Sequence, residues 1–223
     1  MSTRATVLAE LAELVLAAKR AHPLRVAVDG CSAAGKTTLA GELAAVLAVR
    51  TTREIIHVGL DYFKLAVEKR TAYPQATPES YYLDSWDNDA IRDRLLIPLG
   101  PQGSRHYVSA VMDLPARNPI TAEVLTASED AILLADGVFL QRPELNPFWD
   151  LRIYVDVSFG EVLRRGIARD QRWMNSAAEA EHRYRTKYIP GEKRYVAEVR
   201  PREHADIVVS NEDPAAPVLT VRA

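Results

Sequence analysis

Residues 30–37 read Gly-Cys-Ser-Ala-Ala-Gly-Lys-Thr, a complete G-x-x-x-x-G-K-[ST] motif, and no other feature constrains the fold as tightly. Glycine at both ends lets the backbone curl so that successive N–H groups converge on an anion. Such a loop works only between a buried strand and a helix whose N-terminus faces the bound phosphates. Both flanks fit. Leu24-Arg25-Val26-Ala27-Val28 is a short apolar run, and after the loop Leu39, Leu43, Val46 and Leu47 recur on one helical face. The loop, Gly30, Cys31, Ser32, Ala33, Ala34, Gly35, Lys36, Thr37 and Thr38, is therefore the expected polyphosphate cradle. Lys36 supplies a point charge for the outer phosphates and Thr37 a hydroxyl for Mg²⁺.

The rest of the chain alternates in the same way. Apolar runs at 24–28, 54–59, 131–135, 151–157 and 206–210 read as strands. Segments 4–21, 36–49, 87–98, 158–170 and 177–189 read as helices. Alternation of this kind predicts an α/β fold with a five-stranded, mostly parallel sheet and helices on both faces. The tail residues Val218-Leu219-Thr220-Val221 are a candidate further edge strand. Two stretches interrupt the pattern. Residues 100–126, with Gly100, Pro101, Gly103, Pro115 and Pro119, read as a hairpin excursion over the site, and 164–178 as a lid containing a polar loop at 171–178. The chain reads as one domain spanning 1–223.

Composition narrows the partners. A net charge of −2 over 223 residues gives no electrostatic footprint for nucleic acid. No apolar stretch is long enough to span a bilayer, and acidic residues interrupt the apolar pattern of 4–21, which reads as a packed helix and not a targeting segment. Cys31 is the sole cysteine, so an intrachain disulfide is excluded, and a reducing cytoplasm is the expected location. The expected partner is a small-molecule acceptor, with self-association left open.

In parallel α/β sheets, ligands gather at the carboxyl ends of the strands. Asp61 follows the second strand, on the loop's side of the sheet, where a general base toward an acceptor hydroxyl would sit; a turn or helix-capping role is the alternative. Asp136 ends the run Ile132-Leu133-Leu134-Ala135, a position suited to Mg²⁺. Gly137 comes next, where motor ATPases carry a water-activating glutamate, so transfer to a bound acceptor is favoured over hydrolysis. Arg164, Arg165, Arg169 and Arg172 crowd the segment after the fourth strand, and Arg165 and Arg169 are candidates for phosphate contacts from a lid. Cys31 offers two readings, a small residue that fits the loop or a thiol activated beside Lys36.

In order and approximate spacing, the loop, Asp61-Tyr62-Phe63, Leu134-Ala135-Asp136-Gly137 and Arg164 to Asp170 resemble the uridine kinase-like branch of P-loop kinases, which includes phosphoribulokinase, nicotinamide riboside kinase and one class of pantothenate kinase. Arg185 to Val209, with Tyr188-Ile189-Pro190, Tyr195, Pro201 and Ala205-Asp206-Ile207-Val208-Val209, is similar to that family's last helix and strand. The resemblance covers most of residues 24–213. It implies ATP and Mg²⁺ as cofactors and Asp61 as base toward the acceptor. It further implies Asp136 near the metal, Arg169 on nucleotide phosphates and Asp84 near an acceptor ribose. The family's base-reading segment falls at Met112-Asp113-Leu114-Pro115-Ala116-Arg117, which makes Asp113 an acceptor-side candidate along with Arg165. The chain departs from the pattern at Lys64, where a Tyr is usual, in lacking the segment's His, and in a lid spacing one residue longer. The expected reaction is γ-phosphate transfer to the 5′-hydroxyl of uridine or cytidine. The alternatives are nicotinamide riboside, pantothenate or a sugar as acceptor, or a nucleotide-binding protein without catalysis. The chain carries no guanine-reading Asn-Lys-x-Asp, which argues against a regulatory GTPase.

Overall fold

The computed structural model describes residues 3–222. Eight strands form in chain order: β1 Leu24–Gly30, β2 Ile55–Gly59, β3 His106–Tyr107, β4 Leu125–Thr126, β5 Ile132–Asp136, β6 Leu151–Asp156, β7 Ile207–Ser210 and β8 Val218–Val221. The helices are α1 Arg4–Ala17, α2 Lys36–Ala48, α3 Pro78–Leu83, α4 Asn88–Ile91, α5 Phe159–Asp170, α6 Ala177–Arg183, α7 Ile189–Val199 and α8 Pro201–His204. The main sheet runs β2-β5-β1-β6-β7-β8. Its first five strands are parallel and correspond to the five expected. The sheet has six strands and not five, because the tail adds β8 antiparallel to β7.

Strand alternation divides the core between the two faces. Val26, Val28, Leu134 and Ile153 pack with Val7, Leu11 and Val15 of α1 and Leu39, Leu43 and Leu47 of α2. Ala27, Leu133 and Ala135 face the other way, toward Ile91, Leu95, Leu96 and Trp149. Truncating one of the fully buried leucines to Ala costs about 2–5 kcal/mol, since the neighbours close the cavity only in part. Among the described residues no helix is long and apolar enough to cross a membrane.

Helix boundaries follow local chemistry. Ser158 and Ser176 cap α5 and α6 by accepting from the N–H groups of Glu161 and Glu179, the S-x-x-E arrangement that satisfies first-turn donors. Thr77 caps α3, with Pro78 in its first turn. The helix expected over 177–189 extends further, because a π-helical turn at Tyr184–Tyr188 joins α6 to α7. The helix expected over 87–98 likewise changes character, with a π turn at Arg92–Leu96 following α4. The 100–126 excursion holds only a two-residue ladder between β3 and β4 and a single bridge from Met112 to Pro119. It is pinned over the turn after β2, where the N–H groups of Val111 and Met112 both donate to the carbonyl of Tyr62 at 3.0 Å, and the Ala116 carbonyl accepts from the N–H of Val67 at 3.1 Å.

Register places the site. Val28 of β1 and Gly59 of β2 both lie beside Asp136 at the end of β5. The phosphate loop, the Asp61 turn and the Asp136 carboxylate thus leave the sheet at neighbouring carboxyl ends.

Candidate active site

The loop at 30–37 is held from three sides by buried polar side chains. Asp29, the residue before the motif, is fully buried at the end of β1. Its carboxylate accepts from the N–H of Gly30 at 2.8 Å, the N–H of Leu140 at 3.2 Å and Nε2 of Gln141 at 3.1 Å, and also from the hydroxyl of Tyr195. Burial raises its pKa, and these donors work against that rise. Glu192 of α7 is also fully buried, and its Oε1 accepts from the N–H of Ser32 at 2.7 Å and the hydroxyl of Tyr81 at 3.1 Å. Asn211, just past β7, donates from Nδ2 to the carbonyl of Ala34 at 2.8 Å. The two motif glycines are required by geometry. Gly35 sits at φ 96°, and a Cβ on Gly30 would lie 2.5 Å from the carbonyl oxygen of Val155.

Lys36 is buried, and its Nζ donates to the carbonyl of Cys31 at 2.7 Å, which folds the ammonium across the mouth of the loop. The N–H groups of Lys36, Thr37 and Thr38 open α2, where a helix leaves its first donors without intrahelical acceptors. The Cys31 thiol is buried 4.0 Å from the Tyr154 hydroxyl, and burial pushes its pKa well above the usual range, as does the nearby Glu192. That environment favours the reading of Cys31 as a residue that fits the loop, not an activated thiol.

Beside Lys36, the Thr37 hydroxyl donates to Oδ2 of Asp136 at 2.5 Å. The other carboxylate oxygen of Asp136 lies 2.8 Å from Nε2 of His57 on β2. His57 is a partner the sequence pattern did not reveal, because one histidine between two buried strand residues carries no ligand spacing. A hydroxyl and a carboxylate side by side are hard oxygen donors of the kind Mg²⁺ takes, and Mg²⁺ fills its remaining positions with water and phosphate oxygens. Two protein oxygens with an oriented carboxylate therefore fit such an ion. Among the described residues no cluster of three or more His, Cys, Asp or Glu offers a rival metal site.

A cavity of about 380 Å³ opens from this point. Its lining joins Lys36, Thr37 and Asp136 of the phosphate side to Asp61, Tyr62 and Lys64 of the turn after β2 and to the rings of Tyr81, Trp86 and Tyr188. Asp61 is more than half exposed and pairs with Nζ of Lys64 at 2.9 Å. The pairing gives the Lys64 departure a physical role, since the ammonium also sits over the Trp86 ring at 5.7 Å. A second cavity of about 320 Å³ lies over the start of α2, lined by the loop and by Arg165 and Arg169. Arg169 lines both cavities. Its guanidinium is fixed by Asp170 at 2.6 Å and by the Tyr184 hydroxyl at 3.1 Å, and its pKa is raised by the bond to Asp170. Arg165 is tied to Glu161 at 2.6 Å and to the carbonyls of Asn211 and Glu212, so it faces the nucleotide side of the loop and not the acceptor wall.

Two acceptor-side candidates stand elsewhere. Asp113 accepts from Arg117, from the backbone N–H and side-chain amide of Asn118, and so spends its carboxylate on its own turn; those bonds hold its pKa below the usual carboxylate range. Its neighbour Leu114 reaches the cavity instead. Asp84 is buried with Oδ2 unpartnered, and lines neither cavity. The sequence reading missed Asp29, His57, Lys64, Tyr81, Glu192 and Asn211. Of these, Lys64 showed only as a departure from the family pattern, and Asp29 only as a carboxylate directly before the motif.

A parallel sheet with a G-x-x-x-x-G-K-T loop between β1 and α2, a carboxylate against the loop's threonine, and arginines arriving from α5 define a P-loop nucleotide-binding protein. No family model matches the chain. Over 190 residues it is 27% identical to a uridine kinase of Chlamydia pneumoniae, covering 82% of this chain and 80% of that one. A structure described as a possible uridine kinase from Bacillus stearothermophilus superposes with a TM-score of 0.68 at 22% identity, over 90% of this chain and 96% of the other. A structure provisionally described as a fructose transport system kinase from Silicibacter gives a TM-score of 0.68 at 23% identity, over 85% and 94%. In sequence and in fold the chain is thus similar to the uridine kinase-like P-loop kinases.

Proposed function

We propose that this kinase uses ATP and Mg²⁺ to phosphorylate the 5′-hydroxyl of a pyrimidine ribonucleoside, uridine or cytidine. One observation carries the reading: a single cavity is lined both by Lys36 and Thr37 of the loop and by Asp61. An acceptor hydroxyl between them is within reach of both a base and a γ-phosphate. Tyr62, Trp86 and Tyr188 supply flat apolar surface for a base, and the relative from Chlamydia pneumoniae is a uridine kinase.

In this reading Asp61 takes the proton of the acceptor hydroxyl. The hydroxyl oxygen bonds to the γ-phosphorus, and the bond from that phosphorus to the β–γ bridging oxygen breaks to release ADP. Lys36 and Arg169 stabilise the charge that spreads over the transferring group, and the loop N–H groups hold the phosphates that stay behind. Thr37 and Asp136 would hold Mg²⁺, which when bound supplies neutralisation of phosphate charge. His57 orients the Asp136 carboxylate for that task. Gly137 leaves no carboxylate after Asp136 to activate water. The protein is proposed to act in the cytoplasm on a small molecule.

The test is ADP release coupled to a panel of uridine, cytidine, nicotinamide riboside, pantothenate and free sugars with MgATP. Turnover on the two pyrimidine nucleosides is expected. Robust turnover on fructose or another sugar with none on a nucleoside would overturn the acceptor assignment. ADP release that no acceptor stimulates would overturn the kinase mechanism.

A further inference from the structure

The buried carboxylate of Glu192 has no role in the steps above, yet it contacts the loop that performs them. Its Oε1 accepts from the Ser32 N–H at 2.7 Å and from the Tyr81 hydroxyl at 3.1 Å. The Ser32 hydroxyl closes the triangle, 2.9 Å from the Tyr81 oxygen. Ser32 is the third residue of the G-x-x-x-x-G-K-T loop. Tyr81 lies in the wall of the acceptor cavity, packed edge-on to Trp86 at 5.5 Å and tilted on Tyr188 at 4.8 Å. Glu192 therefore ties the nucleotide loop to the acceptor wall through groups that touch neither reacting atom.

We propose that Glu192 is a positioning residue for phosphoryl transfer, which aims the phosphate loop by holding Ser32 and shares that hold with Tyr81 of the acceptor wall. The proposal rests on the loop binding a nucleotide, as the function above requires, but not on which acceptor is used. What the loop needs from Glu192 is a hydrogen-bond acceptor at Oε1. Its second oxygen, Oε2, is buried without a partner. Burial pushes the carboxyl above its usual range, so a net charge there is costly, and an uncharged amide of the same shape can serve. An alanine cannot, because it leaves the Ser32 N–H without its acceptor and the Tyr81 hydroxyl with Ser32 as its one remaining partner.

Titration calorimetry with MgADP on the full chain, with melting temperatures recorded beside it, compares wild type with Glu192→Gln, Glu192→Ala and Tyr81→Phe. Glu192→Gln is expected to bind MgADP within about threefold of wild type, and Glu192→Ala at least about tenfold more weakly. Tyr81→Phe keeps the ring and removes only the hydroxyl; it is expected to weaken MgADP by about threefold to tenfold, with little change in melting temperature. It therefore decides the matter should Glu192→Ala fail to fold. Wild-type affinity in a folded Glu192→Ala, or in Tyr81→Phe where Glu192→Ala does not fold, would overturn the proposal. So would a Gln variant as impaired as the Ala variant, since the hydrogen-bond acceptor would then not be what matters. A wild-type protein that binds MgADP but phosphorylates no nucleoside overturns the acceptor assignment alone. One that binds no MgADP overturns both.

Discussion

The two walls of the 380 Å³ cavity are built on different principles. On the phosphate side, nearly every group is determined more than once. Asp29, Glu192 and Asn211 each bond to loop backbone from buried positions, and Gly30 and Gly35 leave the backbone no alternative path. On the acceptor side Tyr81 is buried in α3, but the groups that rim the opening stand on surface turns. Asp61 is more than half exposed, Leu114 is 53% exposed, and Trp173 at the lid rim is 60% exposed. A preorganised electrostatic site must be rigid to stabilise a transition state without reorganising. A recognition wall made of exposed turns can change its ligand by a few substitutions without disturbing that site. In the proposed reaction, phosphate binding is thus fixed by the interior and the acceptor by the rim.

The largest effect should come from the rigid wall. Lys36→Ala removes the ammonium that the loop holds over the phosphates. The expected loss in kcat/KM is about 3 kcal/mol or more, roughly 150-fold. The melting temperature should stay near that of wild type, because Lys36 bonds only to the Cys31 carbonyl and the loop keeps its three buried supports. Steady-state kinetics and a thermal melt on one preparation check both halves. Near-normal turnover would mean that the phosphate wall does not do the chemistry.

Asp61→Asn probes the other wall. Losing a general base lowers turnover by roughly a hundredfold. Affinity for ATP should hardly change, because Asp61 lies outside the phosphate loop and its ion partner is Lys64. A variant that loses ATP affinity while keeping saturated turnover would assign Asp61 to the nucleotide side and erase the division between walls.

That division also explains what could be read from the sequence. The phosphate wall was legible because its chemistry is local: one contiguous motif between a strand and a helix, with Asp136 announced by the apolar run before it. The sheet followed from the spacing of apolar runs, down to β8 in the tail, which was visible as a run but not as a pairing. Supports that come from far along the chain were not legible. Glu192 lies 160 residues from the Ser32 N–H it accepts, and neither periodicity nor spacing links the two. Resemblance to the family named the acceptor wall as Asp84 and Asp113, but here Asp113 closes its own turn and Asp84 lines neither cavity. Lys64 and Leu114 face the cavity instead, a consequence of turn geometry that no single position discloses.

A smaller effect is expected where lid and loop meet. A Cβ at Gly166 would overlap the Tyr184 ring, whose hydroxyl donates to Asp170 at 2.8 Å and accepts from Arg169 at 3.1 Å. Gly166→Ala should therefore destabilise the fold by about 1–3 kcal/mol, the usual cost of overpacking. It should also raise the KM for MgATP, because Arg169 loses the tyrosine that fixes it over the loop. A melt and an ATP titration separate the two. An unchanged KM in a destabilised variant would remove Arg169 from the nucleotide side.

The smallest expected effect is discrimination between acceptors, and it follows from what the rim lacks. Uracil and cytosine differ by an acceptor oxygen against a donor amino group and by the protonation of the neighbouring ring nitrogen. A site separates them strongly only by placing a hydrogen-bonding group against those atoms, because the wrong base then leaves a buried polar group unpaired. Among the described residues, no Asn, Gln or His lines the cavity. Its acceptor end is walled by Tyr62, Trp86, Leu114 and Tyr188, and the charged groups there, Asp61 and Lys64, pair with each other. Stacking on aromatic faces tolerates either base. The ratio of kcat/KM for uridine and cytidine should therefore lie within about tenfold, near 1.4 kcal/mol. A ratio of a hundredfold or more would require a base-reading group, which Trp173 or Leu114 would have to bring in by moving the rim. In that event the acceptor wall would be as closely specified as the phosphate wall, and the contrast between them would fail.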